Sequence, residues 1–108
     1  MSEKKSLVLQ EWEESEQGWG VRPDGYSFHL SEEDCKAYVK EYWASMPKEV
    51  QYEYSRTCGN PIWVIVSPAF YRQATREFKA GKKGFRVWHS DGKVVTSKTG
   101  ERTWEEKK

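Results

Sequence analysis

Residues 62–66 (IWVIV) place the strongest constraint on how this chain can fold. The run is the most apolar in the sequence, is rich in β-branched residues, and carries no charge that would mark a solvent-facing side. Such a run is typical of an interior strand that is covered on both faces. We therefore expect a central strand here and a fold that is organised around one sheet.

Two stretches have the period of amphipathic helices. The first begins at Ser31, which suits an N-cap, and repeats apolar residues at helical spacing until Pro47. The second begins at Ser67 and Pro68, the preferred residue types for a cap and a first helical position, and should end at Gly81. We expect both helices to pack on the same face of the sheet.

Alternation of apolar and polar residues predicts further strands at 6–14, 26–30, 85–88 and 93–96. Glutamates within residues 11–16 favour an edge position for the first of them. Residues 22–25 (RPDG) and 89–92 (HSDG) predict a tight turn and a hairpin turn, and residues 48–60 predict a long loop that has room for a short strand. The expected fold is α+β, of order ββαβαββ, with one mostly antiparallel sheet of four to five strands and two amphipathic helices on one face.

The size and composition of the chain predict one domain over residues 1–108, with flexible tails at 1–5 and 105–108. Aromatic residues make up 15% of the chain, so disorder throughout is excluded. No apolar stretch reaches the roughly 20 residues that cross a bilayer, and no signal peptide is visible, so we expect a cytoplasmic protein without a membrane partner. Cys35 and Cys58 match no metal-ligand spacing, which favours reduced thiols and neither metal nor other cofactor.

Catalysis has the weakest support in the sequence. His29, His89, Ser27 and Cys58 are present, but no glycine-flanked serine or cysteine follows a strand into a helix as a nucleophile elbow would. We therefore name no catalytic residue. A small hydrolase centred on His29 and Asp24 is kept as a second alternative.

Charge is distributed unevenly along the chain. Residues 1–34 carry nine acids against three bases, whereas residues 67–98 carry eight bases against two acids. The two halves can neutralise each other across the fold or through head-to-tail contacts between copies of the chain. We expect such neutralisation, and we also expect a homo-oligomer. Alternatively, the basic half binds a nucleotide or nucleic acid, because cations interleaved with rings suit phosphates and bases. The residues that would form this surface are Arg72, Arg76, Lys79, Lys82, Lys83, Arg86 and Trp88.

A second candidate surface combines rings and arginines from two segments that lack a helical pattern. Its predicted ligand-binding residues are Trp19, Arg22, Asp24, Tyr26, His29, Tyr54 and Arg56. Arginine binds carboxylate or phosphate with two parallel hydrogen bonds, and Trp and Tyr offer flat faces with polar rims. The alternative is that Trp19 and Tyr26 belong to the core and that Arg22 pairs with an acid of the first strand.

The stretch 12–30 (WEESEQGWGVRPDGYSFHL), together with 53–61 (EYSRTCGNP), resembles small uncharacterised proteins of phages and mobile gene cassettes. Short proteins of mobile elements often act by binding, so the resemblance implies a binding protein instead of an enzyme. The expected function is therefore non-enzymatic binding of a small molecule or protein partner through the aromatic and arginine surface. Nucleotide or nucleic-acid binding by the basic half is the alternative.

Overall fold

The computed structural model describes residues 5–16, 20–45 and 53–107. These residues form β1 (Lys5–Glu16), β2 (Gly20–His29), α1 (Glu32–Ser45), β3 (Glu53–Val66), α2 (Pro68–Lys79), β4 (Phe85–Trp88), a 3-10 turn (His89–Asp91), β5 (Gly92–Thr96) and β6 (Arg102–Glu106). The α+β class is confirmed. The order differs from the expected one by the added strand β6, and residues at both predicted tails, Lys5 and Glu106, belong to strands.

Both helices begin where the sequence predicts. The backbone N–H of Asp34 donates to Ser31 Oγ at 3.1 Å, and the N–H of Phe70 donates to Ser67 Oγ at the same distance. Each serine thus accepts from an amide in the first turn that has no partner within the helix. The second helix ends at Lys79 and is followed by Gly81 with a positive φ of 98°, as its predicted role requires.

The described residues form one six-stranded sheet in the order β4-β2-β1-β3-β6-β5. Neighbouring strands are antiparallel except for β3 and β6, which pair in parallel, so the sheet is mixed. The expectation of four to five strands was too low because β6 carries only a weak alternating pattern around Trp104. The run 62–66 lies in β3, an interior strand, as predicted.

The first strand occupies the sheet interior, so the edge position predicted for it is wrong. Leu7 and Leu9 are buried on one face, and Val8 and Trp12 are buried on the other. Successive side chains of a strand point to opposite faces, so both faces of β1 must be covered. The glutamates that suggested an edge lie toward the far end of β1, next to the Trp12 position.

The two helices lie on opposite faces of the sheet, which corrects the prediction that they share one. Phe70 and Ala74 of α2 belong to the same buried cluster as Leu7, Leu9 and other side chains of that face. On the other face, Tyr38 and Tyr42 of α1 contact the Trp12 ring, with centroids 6.1 and 5.0 Å away. We call the α2 side the inner face and the α1 side the outer face.

The sheet curls around its inner face. Trp104 of β6 contacts Tyr26 and Phe28 of β2 at centroid distances of 4.9 and 5.1 Å, although β1 and β3 lie between those two strands. In a flat sheet, the outermost strands β4 and β5 would be about 24 Å apart at a strand spacing of about 4.8 Å. The chain from Trp88 to Gly92 spans at most about 14 Å, so the two edges must approach each other.

Three local predictions differ from the structure because strand pairing overrides the local sequence pattern. Residues 22–25 lie within β2, where Asp24 is an extra residue opposite the β1 ladder. Residues 53–60, expected in a loop, belong to β3, while 46–52 lie outside the described residues. The strands β4 and β5 do not pair with each other as a hairpin but with β2 and β6.

The inner and outer faces differ in how completely they are covered at β3. Val64 and Val66 are buried on the inner face, but Trp63 on the outer face is 48% exposed. The expectation that both sides of the run 62–66 are covered is therefore correct only for the inner side. Neither described helix has the length and apolar character needed to cross a membrane.

Candidate functional site

A chain of buried polar side chains lies under α1 on the outer face. Trp12 Nε1–H donates to Ser27 Oγ at 2.7 Å, Ser27 Oγ lies 2.8 Å from His29 Nε2, and His29 Nδ1 lies 2.8 Å from the Lys83 carbonyl oxygen. Since a carbonyl can only accept, His29 Nδ1 carries the proton and Nε2 accepts from the Ser27 hydroxyl. Every polar atom of this hydrogen-bonded network then has a partner, and the imidazole is neutral.

Burial and charge set the protonation of His29. Its side chain is fully buried, and this burial lowers the pKa of the imidazole below its ordinary value, against smaller opposing effects of the Lys83 carbonyl and the Asp34 charge. Protonation would place a second N–H against Ser27 Oγ, which already accepts from Trp12. The network is therefore built for the neutral form.

Ser27 and His29 do not form an accessible catalytic pair. Both side chains have no solvent-exposed surface, and the Asp24 carboxylate pairs with Arg86 instead of His29. A nucleophile needs room for a substrate carbon beside it. This geometry gives no support to the hydrolase alternative centred on His29 and Asp24.

Arg86 is the best-positioned cation on the outer face. Its guanidinium lies over the Trp12 ring, 4.7 Å from the ring centre, and forms an ion pair with Asp24. The Arg86 side chain is 33% exposed and that of Asp24 is 12% exposed. The pair is thus sheltered, and the ring and carboxylate together hold the guanidinium in one orientation.

Two cavities lie beside β4, and Arg86 lines both of them. The first, of about 580 Å³, lies between Tyr38 and Glu41 of α1 and the end of α2, and Lys82 and Lys83 line it with Arg86. The second, of about 480 Å³, is also lined by Asp24 and Trp88. We call the two cavities together the β4 groove.

Gly84 closes the floor of the β4 groove against the buried network. A Cβ built on Gly84 would lie 2.7 Å from His29 Cε1 and 2.9 Å from Tyr38 Cδ2. Only glycine lets the chain pass this close to the imidazole, and this closeness puts the Lys83 carbonyl within reach of His29. The polar network thus fixes the backbone that presents Lys82 and Lys83.

Trp88 ends the β4 groove as an exposed ring. Its side chain is 68% exposed, more than Trp63 at 48% or Trp43 at 44%. Its backbone N–H donates to Asp91 Oδ2 at 2.9 Å, which fixes the end of β4 while the indole faces solvent. An exposed indole beside a sheltered guanidinium is a suitable platform for stacking.

The structure brings four of the seven predicted nucleic-acid-binding residues together. Lys82, Lys83, Arg86 and Trp88 all line the β4 groove. Arg72, Arg76 and Lys79 are exposed on α2 at spacings of four and three, so they form a basic stripe that leads to the groove without lining it.

The cations of the β4 groove also have acidic partners. Lys82 Nζ lies 2.7 Å from Glu77 Oε2, and Lys83 Nζ lies 3.8 Å from Asp34 Oδ1. Both lysine side chains are about half exposed or more, at 64% and 49%. Exposed pairs of this kind contribute about 0–1 kcal/mol, so a phosphate can displace the carboxylate at little cost.

The described residues of the predicted aromatic and arginine surface do not share one pocket. Arg22 pairs with Glu14 at 3.0 Å, and Arg56 pairs with Glu13 at 2.6 Å. Glu13 and Glu14 are successive residues of β1, so the two arginines lie on opposite faces of the sheet. The pairing of Arg22 with an acid of the first strand is the alternative that the sequence left open.

The remaining residues of that surface are also dispersed. Tyr26 packs on Trp104 on the inner face, as the core alternative expects, and burial followed by the Glu11 charge raises the pKa of its phenol. His29 is buried beneath α1, and Tyr54 is a residue of β3 that stands opposite Ser15. Trp19 lies outside the described residues, and binding by this surface stays a prediction.

Cys35 and Cys58 are free thiols in this structure. Cys35 on α1 is buried, and that burial, followed by the Glu32 charge, raises the pKa of its thiol to about 11. Burial, followed by the charges of Glu11 and Glu13, also raises the pKa of the Cys58 thiol on β3. Neither is activated as a nucleophile. Among residues 5–16, 20–45 and 53–107, no three His, Cys, Asp or Glu side chains cluster to hold a metal ion.

Sequence reasoning missed Tyr38 and Gly84 as parts of the site. Tyr38 has the spacing of a core residue on α1, and nothing local distinguishes a ring that lines a groove edge from one that is fully covered. The two glycines around residues 82 and 83 were visible in the sequence. Their role depends on His29, which is 55 positions before Gly84 and is brought there only by the pairing of β2 with β4.

Comparisons with known proteins found no matching family model, no similar curated protein and no similar solved structure. The resemblance to proteins of phages and mobile gene cassettes and the expected homo-oligomer therefore stay predictions.

Proposed function

We propose that this protein is a non-enzymatic binding protein that holds a nucleotide unit, either free or within a single strand of nucleic acid, in the β4 groove. The observation that carries the proposal is the alignment of Lys82, Lys83 and Arg86 along one groove that ends at the exposed ring of Trp88. Cations for phosphates and a ring for the base are the two elements of sequence-tolerant single-strand binding.

The charge of the surrounding segment supports the proposal. Residues 67–88 contain six bases and one acid, Glu77. Arg72, Arg76 and Lys79 are exposed on α2, whereas the lining of the β4 groove is balanced, with Lys82, Lys83 and Arg86 against Glu41, Glu77 and Asp24. Exposed positive charge attracts a phosphate backbone over several ångströms, and the attraction weakens as salt is added.

The sheltered ion pair of Arg86 favours phosphate binding in one defined orientation over diffuse electrostatic attraction. Asp24 and the Trp12 ring hold the guanidinium before any ligand arrives, so its outward N–H groups lose little freedom on binding. A phosphate beside Arg86 would place the next base near Trp88. Lys82 and Lys83 would then contact the preceding phosphates.

The test is fluorescence polarisation with a labelled ten-nucleotide oligo(dT) across a salt series. Each phosphate contact contributes about 0.7 to the log–log salt slope for single strands, so Lys82→Gln with Lys83→Gln should lower the slope by about 1.4. Trp88→Ala should weaken binding by about 5-fold to 150-fold, which corresponds to the range of about 1–3 kcal/mol for one stacked base. The matched controls are Lys93→Gln with Lys98→Gln and Trp43→Ala, all at exposed positions outside the groove.

Competition distinguishes the two sources of the nucleotide unit. Displacement of oligo(dT) by a free nucleoside monophosphate at similar concentration per phosphate indicates a nucleotide site, whereas displacement only by longer strands indicates single-strand binding. The proposal fails if the protein does not bind oligo(dT) or free nucleotide at 50 mM salt. It also fails if the groove variants and the control variants lose equal affinity.

A further inference from the structure

A further cavity lies on the outer face of the sheet, between α1 and β3. Its volume of about 360 Å³ falls within the range of about 300–1,000 Å³ that is typical of small-molecule sites. Lys36, Val39 and Lys40 line it from α1, and Thr57 and Asn60 line it from β3. We call it the α1–β3 cavity.

The charged side chains that line the α1–β3 cavity are two lysines. Lys36 and Lys40 are exposed, and no acid of the described residues lines the cavity with them; Glu32, one turn before Lys36, is not part of the lining. Neither lysine forms an ion pair with a described residue, whereas Lys82 and Lys83 of the β4 groove have carboxylate partners. Residues four apart on a helix have Cβ atoms about 5–6 Å apart, so both ammonium groups can reach one ligand.

One wall of the α1–β3 cavity is a bulge of β3 that the fold holds in place. Residues 59–61 of β3 stand opposite the single residue Gln10 of β1. Gln10 is 3% exposed, and its Nε2 donates to the carbonyl oxygens of Glu11 and Gly59 at 3.0 and 3.1 Å. Gly59 has a φ of 72°, which glycine adopts without strain. The backbone that carries Asn60 is therefore fixed before a ligand arrives.

The uncharged groups of the lining suit an organic anion. Val39 and Pro61 contribute apolar surface, and the Thr57 hydroxyl and the Asn60 amide supply hydrogen-bond donors. Cys35 also lines the cavity, and burial raises the pKa of its thiol to about 11. The thiol is thus uncharged near neutral pH and does not repel an anion.

We propose that the α1–β3 cavity binds a small organic dianion, which is either a dicarboxylate or a phosphate monoester. The two lysines pair with the anionic oxygens, Thr57 and Asn60 donate to further oxygens, and the carbon atoms of the ligand pack on Val39 and Pro61. A ligand with one negative charge would leave one ammonium group without a counterion in the cavity. Charge complementarity therefore favours a dianion over a monoanion of the same size.

The α1–β3 cavity is separate from the β4 groove, although α1 borders both. Tyr38 and Glu41 of α1 line the groove, whereas Lys36 and Lys40 line the α1–β3 cavity. At 3.6 residues per turn, these two pairs lie on opposite flanks of the helix. The dianion site therefore does not rest on nucleotide binding, and the two proposals are tested independently.

The probes are succinate and glycerol 2-phosphate, and the readout is the side-chain amide of Asn60 in the ¹H–¹⁵N correlation spectrum of the full chain. Asn60 is the only asparagine in the sequence, and Asn60→Ser identifies its signal by loss. We expect at least one dianion to move this signal in a saturable manner at low salt. The dianion that binds more tightly identifies the ligand as a dicarboxylate or a phosphate monoester.

Two analogues test the requirement for charge. Succinamide has the length of succinate without its charges and should leave the Asn60 signal in place. Butyrate has one carboxylate and should bind about fivefold more weakly than succinate, because an exposed charge pair contributes up to about 1 kcal/mol. Binding of either dianion should weaken as salt is added.

Replacing both lysines tests the source of the affinity. Lys36→Gln with Lys40→Gln should weaken dianion binding by about 5-fold to 25-fold, which corresponds to about 1 kcal/mol or less for each lysine. The matched control, Lys93→Gln with Lys98→Gln at exposed positions elsewhere, should change it by less than about twofold. Lys82→Gln with Lys83→Gln should also leave it unchanged.

The proposal is overturned if neither dianion moves the Asn60 signal at tens of millimolar. It is also overturned if succinamide binds as tightly as succinate, or if the Lys36 and Lys40 variant loses no more affinity than the control. Loss of oligo(dT) binding with dianion binding intact would count only against the β4 groove. Failure of one proposal is therefore visible separately from failure of the other.

Discussion

Replacing Ser27 with alanine tests the buried network from which the β4 groove is built. The hydroxyl of Ser27 accepts from Trp12 Nε1–H and donates to His29 Nε2, so its removal leaves one buried donor and one buried acceptor without partners. Each unsatisfied group costs about 1–3 kcal/mol, so the variant should lose about 2–6 kcal/mol of unfolding free energy. That is a large share of the typical total of about 5–15 kcal/mol.

The assay is urea unfolding at pH 7.5, followed by circular dichroism. With a slope of about 1.5 kcal/mol per M, the unfolding midpoint should fall by more than about 1 M. Ser90→Ala at an exposed position is the matched control and should change the free energy by less than about 0.5 kcal/mol. The cost of Ser27→Ala should also be about 1–2 kcal/mol smaller in a Trp12→Phe background, where the orphaned donor is absent.

Two results would refute this reasoning. A cost for Ser27→Ala no larger than that for Ser90→Ala would mean that the hydroxyl does not serve both neighbours. Strict additivity with Trp12→Phe would mean that the indole N–H does not depend on Ser27. Either outcome would remove the argument that the Ser27 hydroxyl joins Trp12 and His29 into one network.

Two further predictions concern the same network. Because burial lowers the pKa of folded His29 while the unfolded imidazole takes up a proton near pH 6.5, the unfolded state binds more protons below that pH. The unfolding free energy should therefore fall as pH decreases below about 6.5. His29→Gln should make the unfolding free energy, measured by urea titration, depend less steeply on pH. An unchanged pH dependence would contradict the assignment of His29 as a buried neutral imidazole. Gly84→Ala should lower the unfolding free energy by about 1–3 kcal/mol, because the added Cβ meets His29 and Tyr38. Thermal unfolding measures this effect, and a midpoint equal to that of the parent protein would disprove the close contact.

The helices were predictable because their signals are local. Ser31 and Ser67 are caps whose partners lie three residues along the chain, and the apolar spacing that follows is contained in the same segment. The strands that pair with a given strand lie outside its own segment, so the local pattern does not identify them. The HSDG stretch has hairpin chemistry, yet β4 finds its partner in β2, about 60 residues earlier.

The site was predictable to the extent that it is contiguous in sequence. Lys82, Lys83, Arg86 and Trp88 were grouped because seven consecutive positions contain them all. Asp24, which orients Arg86, was assigned instead to a turn with Arg22. The expectation that both helices share one face was wrong because Trp12 and Val8 make the other face of β1 a second core.

The 3-10 turn His89–Asp91 joins the two outermost strands of the sheet, and this has a consequence for how the protein opens. An edge strand normally frays without affecting the opposite edge, but here three residues separate the ends of β4 and β5. Detachment of either strand pulls on its counterpart, so amide hydrogens of both should exchange as one cooperative unit. The 3-10 turn thus ties the stability of one sheet edge to that of the other.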